Sequence, residues 1–565
     1  MRPKKTERKR LLKSAGYYVL TAALLITLSA CDWDDSDSDK RTMRAAPNPF
    51  LSSSLYGITH FDSSQSDSTP YGPPAGTFTV DPEQQPISWG GPVNIITLAA
   101  VDPDYMWGVG TDHVAYVRMD DERWNTVAFL DAPAYMDPTL GPVSEETQRD
   151  FGQMDPAGMT IDEMDVYLVE NFGTNYLFRL FNGAYSVVDR DNVLYANFGF
   201  GIYAFGLRDF RDPSRGIEVL RQIDNAADIQ EAAGFMPPDS IRLFGLTLTY
   251  DGYLIVNFNN GIAVIDRDFD LSTARFYPFG LDESTTNSIA VDEDNGIYVA
   301  SNKIMRKLVW TGDRISDLEA DGAWSSPYDA PEDAVPPIVK FGTGTGSTPT
   351  LMGFGSDSDK LVVITDGSRR MKLVAFWRDA IPADFVQRPD TASRRIAGQM
   401  EVTCGFAAAP DWIQSEQSVV VDGYGAFVVN NIPENAEDSE IAGTNKLLAV
   451  SLMGPAYDTC YGVERFRWDT DEDRWVSVWS RPDVSSTSMI PVHSRSQHLA
   501  VVNGYTPERG WEVTGLDWDS GATVHQTIFG RQNFGNGAYA ILQYLKNGDL
   551  VFNSIVGPFR VSYVN

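Results

Sequence analysis

Residues 251–266, Asp-Gly-Tyr-Leu-Ile-Val-Asn-Phe-Asn-Asn-Gly-Ile-Ala-Val-Ile-Asp, constrain the fold more than any other stretch. Asp251-Gly252 supplies the φ > 0 chemistry of a short hairpin turn, Leu254 and Val256 alternate with their neighbours, and Asn259-Asn260-Gly261 reverses the chain again. The stretch reads as two antiparallel strands of one sheet. The same order returns at 191–205, where Asp191-Asn192 leads through Asn197, Gly199 and Gly201 into Ile202-Tyr203-Ala204-Phe205, and at 547–561, where Asn547-Gly548 leads through Asn553 and Gly557 into Phe559-Arg560-Val561.

A hairpin cannot bury its own faces, so repeated hairpins must stack, and closing the stack into a ring also protects the sheet edges. Four short apolar runs between Val93 and Leu130 have the size of one blade. Further units follow at 185–205, 246–265, 288–302, 348–376, 418–479 (with Leu447-Leu448-Ala449-Val450 read as a strand), 499–518 and 538–565. The expected fold is all-β: a single β-propeller of seven or eight four-stranded blades over residues 50–565, or six if some units only elaborate others. A strand from residues 50–62 is expected to complete the last blade. A small helical insertion is expected near 143–172, where Ser144-Glu145-Glu146-Thr147 resembles a helix start and Met164, Tyr167, Leu168 and Asn171 have helical spacing.

The amino terminus reads as an address. A basic segment is followed by an apolar run from Tyr17 to Leu28 and by Leu28-Ser29-Ala30-Cys31, which resembles the lipobox of bacterial lipoproteins. The resemblance implies a signal peptide at 1–30, acylation of Cys31, attachment to a membrane through lipid, and a propeller facing the periplasm, with inner or outer membrane undecided. Residues 31–49, acidic and Ser-rich at first, read as a flexible tether. The chain has a net charge of -32 although its first thirty residues carry seven basic side chains and one acidic one, so the remaining body is more acidic still. Such a body repels a phosphate backbone, which argues against nucleic acid as a partner. Cys404 and Cys460 are then an even pair in an oxidising compartment, available for a disulfide, although spacing does not show whether they meet.

Residues 287–300, Asn-Ser-Ile-Ala-Val-Asp-Glu-Asp-Asn-Gly-Ile-Tyr-Val-Ala, resemble the blade motif of the gluconolactonase and strictosidine synthase-like propellers and of NHL-repeat propellers. In the gluconolactonase-like family a divalent cation, often Ca²⁺, sits in the central channel and polarises a carbonyl, and Asn287 matches a metal-binding position of that family. Ser288 stands where the family has Gly, and Ser301 or Asn302 where it often has a catalytic Asp. Asn197, Asn257, Asn302, Asn430 and Asn553 recur near the end of the same strand in their units. They are candidates for a ligand-binding ring of amides at a channel mouth, or for caps that hold local backbone.

Other motifs carry less. His493 and His498 flank a Ser-Arg-Ser loop and read as solvent-facing. The run from Gly342 to Ser347 lacks the Lys of a phosphate loop, and Asp469–Asp473 lacks the Gly and Glu of a Ca²⁺ loop. Three readings follow: a binding or scaffold propeller for a protein or small ligand, a metal-dependent lactonase or related hydrolase, and a quinone-dependent dehydrogenase. The third is disfavoured because neither a repeated Trp-docking motif nor an adjacent-Cys pair is found. No catalytic residue can be named from the sequence, and no cofactor is certain.

Overall fold

The computed structural model describes residues 43–93, 96–120, 124–340 and 342–563, so the segment read as a signal peptide and Cys31 lie outside the described residues. One sheet shows how the sequence makes a blade. Leu243–Leu248, Leu254–Phe258, Gly261–Ile265 and Arg275–Pro278 pair antiparallel in chain order. At the first turn Tyr253 N donates to Thr249 Oγ1 at 2.8 Å and that hydroxyl donates to Asp251 Oδ1 at 2.5 Å, while Gly252 takes φ 93°. At the second turn a Cβ on Gly261 would lie 2.4 Å from Tyr277 O, so only Gly permits the return. Both faces of the middle strands are apolar because both are covered. Leu254 and Val256 pack toward the preceding sheet, and Ile255, Ile262 and Val264 toward the following one.

Eight such sheets succeed one another among the described residues. Their innermost strands are Ile96–Ala99, Val187–Val188, Leu243–Leu248, Ala290–Val291, Thr350–Met352, Val420–Asp422, Val492–Ser494 and Leu542–Tyr544, numbered below as blades 1 to 8. An apolar cluster fills the space between each consecutive pair, and Met106, Ala115, Val117 and Trp124 with Val551 join blade 8 to blade 1. The chain is therefore a β-propeller. Seven sheets contain four or more strands, and the eighth has three.

The expected closing strand at 50–62 is not what completes blade 8. Ile87 bridges antiparallel to Phe559 at its outer edge instead, and Trp124 Nε1 donates to Pro558 O at 3.1 Å. On the way there the chain clasps blade 7 from both sides. Ser68–Thr69 pairs parallel with its innermost strand and Gly76–Thr79 parallel with its outermost, Thr523–Gly530.

Two Asp-rich turns are built alike. Val188-Asp189-Arg190-Asp191-Asn192-Val193-Leu194-Tyr195 and Val291-Asp292-Glu293-Asp294-Asn295-Gly296-Ile297-Tyr298 fold alike. Asp292 Oδ1 accepts from Asp294 N at 3.1 Å and Gly296 N at 2.7 Å, and Tyr298 OH donates to its other oxygen at 2.6 Å. Asp189 takes the same set from Asp191, Val193 and Tyr195. The Asn that follows adopts a left-handed conformation in each, and its amide oxygen accepts from the preceding blade: Val101 N at 3.0 Å for Asn192, Tyr250 N at 2.7 Å for Asn295. The motif makes a turn and then ties it to its neighbour.

The helical insertion lies where the sequence placed it, as α1 (Glu145–Gln153) and α2 (Ile161–Phe172). Thr160 and Glu163 form a reciprocal capping box at the start of α2. A short helix α3 (Ala227–Ala232) packs between blades 2 and 3. Leu447-Leu448-Ala449-Val450 is not a strand but lies in α4 (Lys446–Leu452), begun by Asn445, whose Oδ1 accepts from Leu448 N at 2.8 Å. Phe151, Met164, Leu168 and Phe172 share one core cluster with Leu447, Leu448 and Leu452, and with Ile338, Trp412, Ile432, Ala538 and Val556 from connections of other blades. Each buried side chain of this size contributes roughly 1.5–3 kcal/mol, which fixes the helices as a cap over one end of the ring.

Cys404 and Cys460 are both free thiols, buried in different apolar clusters. The disulfide suggested by their even number is not formed; Cys460 Sγ donates to Asn431 O at 2.9 Å. Burial raises the pKa of both thiols.

Candidate functional site

The innermost strands of a propeller leave a row of unpaired backbone groups facing the central channel. Here residues 48–69 fill that channel and satisfy the row. Ala99 N of blade 1 donates to Tyr56 O at 2.7 Å and Val188 N of blade 2 to Gly57 O at 2.9 Å. Val291, Leu351, Val421 and His493 of blades 4 to 7 donate in turn to the carbonyls of Ser63, Ser64, Ser66 and Asp67 at 2.8–3.0 Å. Asn48 Nδ2 reaches Leu248 O of blade 3 at 3.0 Å, and Tyr56 OH donates to Tyr544 O of blade 8 at 3.0 Å. The plug touches the inner edge of every blade.

Making these contacts in a confined circle bends the plug sharply. Tyr56, His60, Phe61, Gln65 and Asp67 all adopt positive φ, between 52° and 79°. Conformations of this kind cost of order 1 kcal/mol each and persist only where the surroundings dictate them. Across the loop His60 Nδ1 meets Asp67 Oδ2 at 2.8 Å, with both side chains almost wholly buried. Burial raises the Asp67 carboxyl above its usual range, and the imidazole works against that rise. His60 Nε2 lies 3.4 Å from Thr348 Oγ1, and its ring stacks on Tyr185.

Between plug and cap a chamber of about 80 Å³ remains, lined by Thr59, Tyr185, Glu416, Gln417 and Tyr539 among others. Lys340 is buried beside it and donates to Gly344 O and Gln414 Oε1. Burial lowers its ammonium to about 8, against the pull of Glu416 and Asp366. The chamber is small.

The five Asn residues do not form a ring of open amides. Each latches a connection between blades. Asn197 Nδ2 donates to Phe181 O, Asn257 Nδ2 to Asn287 O at 2.5 Å, and Asn302 Oδ1 accepts from Ser284 N at 3.0 Å. Asn430 accepts from Gln414 N at 3.0 Å and donates to Tyr461 O at 2.9 Å, and Asn553 donates to Ile541 O at 2.8 Å. Asn503 of blade 7 does the same through Gly535 O at 3.1 Å, a member of the set that sequence reading missed because its strand continues to Thr506. Asn287 is buried, and its amide donates to Thr345 O at 3.1 Å. Among the described residues no group of three or more His, Cys, Asp or Glu side chains is placed to hold a metal ion.

His493 is buried rather than solvent-facing. Its Nδ1 lies 3.2 Å from Ser68 Oγ and 3.7 Å from Asp422 Oδ2, its ring packs on Trp518, and burial lowers its pKa to about 3. His498 stands exposed beside Asp519.

The large opening is a cleft of about 800 Å³ on the face away from the cap. The plug forms its floor, through Tyr56, Asp62, Ser64, Ser66 and Ser68. Its walls include the first turns of several blades, with Asp104, Asp422, Arg495, Lys546 and Tyr71. Residues 43–48, read from sequence as part of the tether, line it too: Met43 N donates to Asp357, Tyr250 OH donates to Ala46 O at 2.7 Å, and Arg44 pairs with Asp422 at 2.8 Å. Nothing periodic marks this site in the sequence; a buried Ser-rich run reads as a loop until the strand edges that it satisfies are known.

No family model matches the chain. A protein of Archaeoglobus fulgidus described only as uncharacterized is 32% identical over 336 residues, which are 57% of this chain and 61% of that protein. The chain thus spans about three-fifths of the length of the curated relative that it matches. Among solved structures it is similar to a europium-containing methanol dehydrogenase (10% identity, TM-score 0.46, covering 89% of this chain and 90% of that one). It is also similar to a quinohemoprotein alcohol dehydrogenase from Pseudomonas putida (10%, 0.47, 89% and 76%) and to a candidate 6-phosphogluconolactonase from Bacteroides fragilis (11%, 0.37, 75% and 94%). At these values the likenesses carry no statement about chemistry.

Proposed function

We propose that this chain is a binding propeller, a module held at an extracytoplasmic membrane surface through lipid on Cys31, which receives a small molecule or a protein in the cleft on its plugged face. One observation supports this above the others. The channel, where a propeller enzyme would gather its reacting groups, is occupied by residues 48–69 bonded to all eight blades, and a cavity of ligand size, the cleft of about 800 Å³, lies outside it.

The test is site-specific photo-crosslinking of the full chain in its host membrane. A photoreactive residue at Lys546, on the cleft rim, is expected to capture a defined adduct that the same residue at Glu146, on the cap, does not. Equal capture at both positions would count against the reading.

A further inference from the structure

We propose that the cleft contains an oxyanion subsite centred on Arg495, which takes a carboxylate or phosphate group of a small ligand. The proposal rests on the reading of the cleft as the binding face and adds the chemical class of what binds there.

Arg495 sits just past the innermost strand of blade 7, where its backbone N donates to Thr69 O of the plug at 2.8 Å. Its side chain is half-buried in the cleft wall. One hydrogen bond of the guanidinium is made, from Nη1 to Ser68 O at 3.2 Å, and among the described residues no carboxylate lies within 4 Å of it. That is unusual company for a cation in a chain of net charge -32. The two acids that face it are engaged elsewhere. Asp422 pairs with Arg44 at 2.8 Å, and Asp62 accepts from Ser64 Oγ at 2.6 Å and Ser66 Oγ at 2.5 Å.

Burial lowers the pKa of Arg495, and the positive charge of Arg44 lowers it further. A guanidinium in that position has planar donors left over, a desolvation cost already met by the fold, and a second cation beside it. An oxyanion docking on its free edge gains charge-assisted, bidentate hydrogen bonds and relieves the repulsion between Arg495 and Arg44. Lys546, exposed on the rim, adds attraction for an arriving anion. The cleft volume lies in the range of small-ligand sites, so the anionic group would anchor a molecule rather than fill the space alone.

The probes are inorganic phosphate and citrate, added to the detergent-solubilised full chain at constant ionic strength with chloride as control. Each is expected to raise Tm saturably in the wild type, citrate marking a carboxylate source and phosphate a phosphate source. Arg495→Gln should weaken the effect at least tenfold and Arg495→Lys less, while Tm in chloride stays close to wild type. Should Arg495→Gln not fold, the wild type still gives an answer: phosphate or citrate should protect Arg495 from phenylglyoxal, read by peptide mass, more than it protects exposed Arg474. Identical Tm in probe and chloride, or an undiminished shift in Arg495→Gln, overturns the subsite. If Lys546 still crosslinks specifically while both probes fail, the anion assignment is wrong and the binding reading stands; if both fail, both fall.

Discussion

His60 Nδ1 stands 2.8 Å from Asp67 Oδ2 inside a ring of eight sheets, and that pair closes the loop whose carbonyls serve blades 4 to 7. Removing one partner leaves the other polar group buried without its contact, which typically costs about 3–5 kcal/mol. Asp67→Asn and His60→Ala should each lower the urea midpoint strongly. The double variant should be less destabilised than the sum, because the two share one interaction. Additive losses in a double-mutant cycle would show that the pair does not hold the plug.

The Asn latches are expected to act on stability. Asn430→Ala and Asn553→Ala each remove an amide that satisfies buried backbone groups. Each should cost about 1–3 kcal/mol in thermal or urea unfolding. Because they lie in blades 6 and 8 without shared partners, their effects should add. A wild-type melting curve for both variants would remove the structural role.

His493 predicts a pH dependence of definite sign. Its folded pKa, about 3, lies below the ordinary 6.5, so between those values the unfolded chain binds a proton that the folded one refuses. Stability from this group is full above pH 6.5 and is lost as pH falls toward 3, by about tenfold in the unfolding constant per pH unit. His493→Gln should lose that component, so the difference in stability between the two proteins should shrink or reverse on acidification. Parallel pH profiles would contradict the assignment.

Both internal thiols are free and buried. In denaturant without reductant Cys404 and Cys460 should each take up one equivalent of a maleimide, and neither should react in the folded protein. Failure to label after unfolding would mean that a disulfide exists after all.

The proposed lipid anchor has its own test. Cys31→Ser should move the protein from the membrane fraction to the soluble fraction after cell breakage. Persistence in membranes would sink the lipoprotein assignment.

The ring was legible in the sequence because a hairpin advertises itself locally, through Asp-Gly or Asn-Gly turns and runs such as Leu254–Phe258 whose residues face two neighbours. The insertion at 143–172 was legible for the same reason, since Ser144 caps its own helix and Met164, Tyr167, Leu168 and Asn171 carry the helical spacing within one short stretch. Leu447–Val450 misled because four apolar residues fit either period, and the deciding signal was Asn445, the N-cap just before them. The plug was not legible. Its order comes from the edges of eight strands far away in sequence, and a run such as Ser63-Ser64-Gln65-Ser66 carries no pattern of its own. Arg495 was hidden likewise, since what singles it out is the engagement of Asp422 and Asp62 with other groups.

The plug also sets an order of events in time. Residues 48–69 are made before any blade, yet their bonding partners run from Ala99 to Tyr544, near the far end of the described chain. Until the last sheet is synthesised, Tyr56 has no Tyr544 to bond, Ile87 has no Phe559 to bridge, and the ring around the plug is open. Contacts of such high sequence separation form slowly and leave strand edges open to wrong pairing meanwhile. A segment that emerges before every blade is thus among the last to be fully placed, and maturation of this protein should be slower, and more dependent on chaperones, than its regular hairpins alone would require.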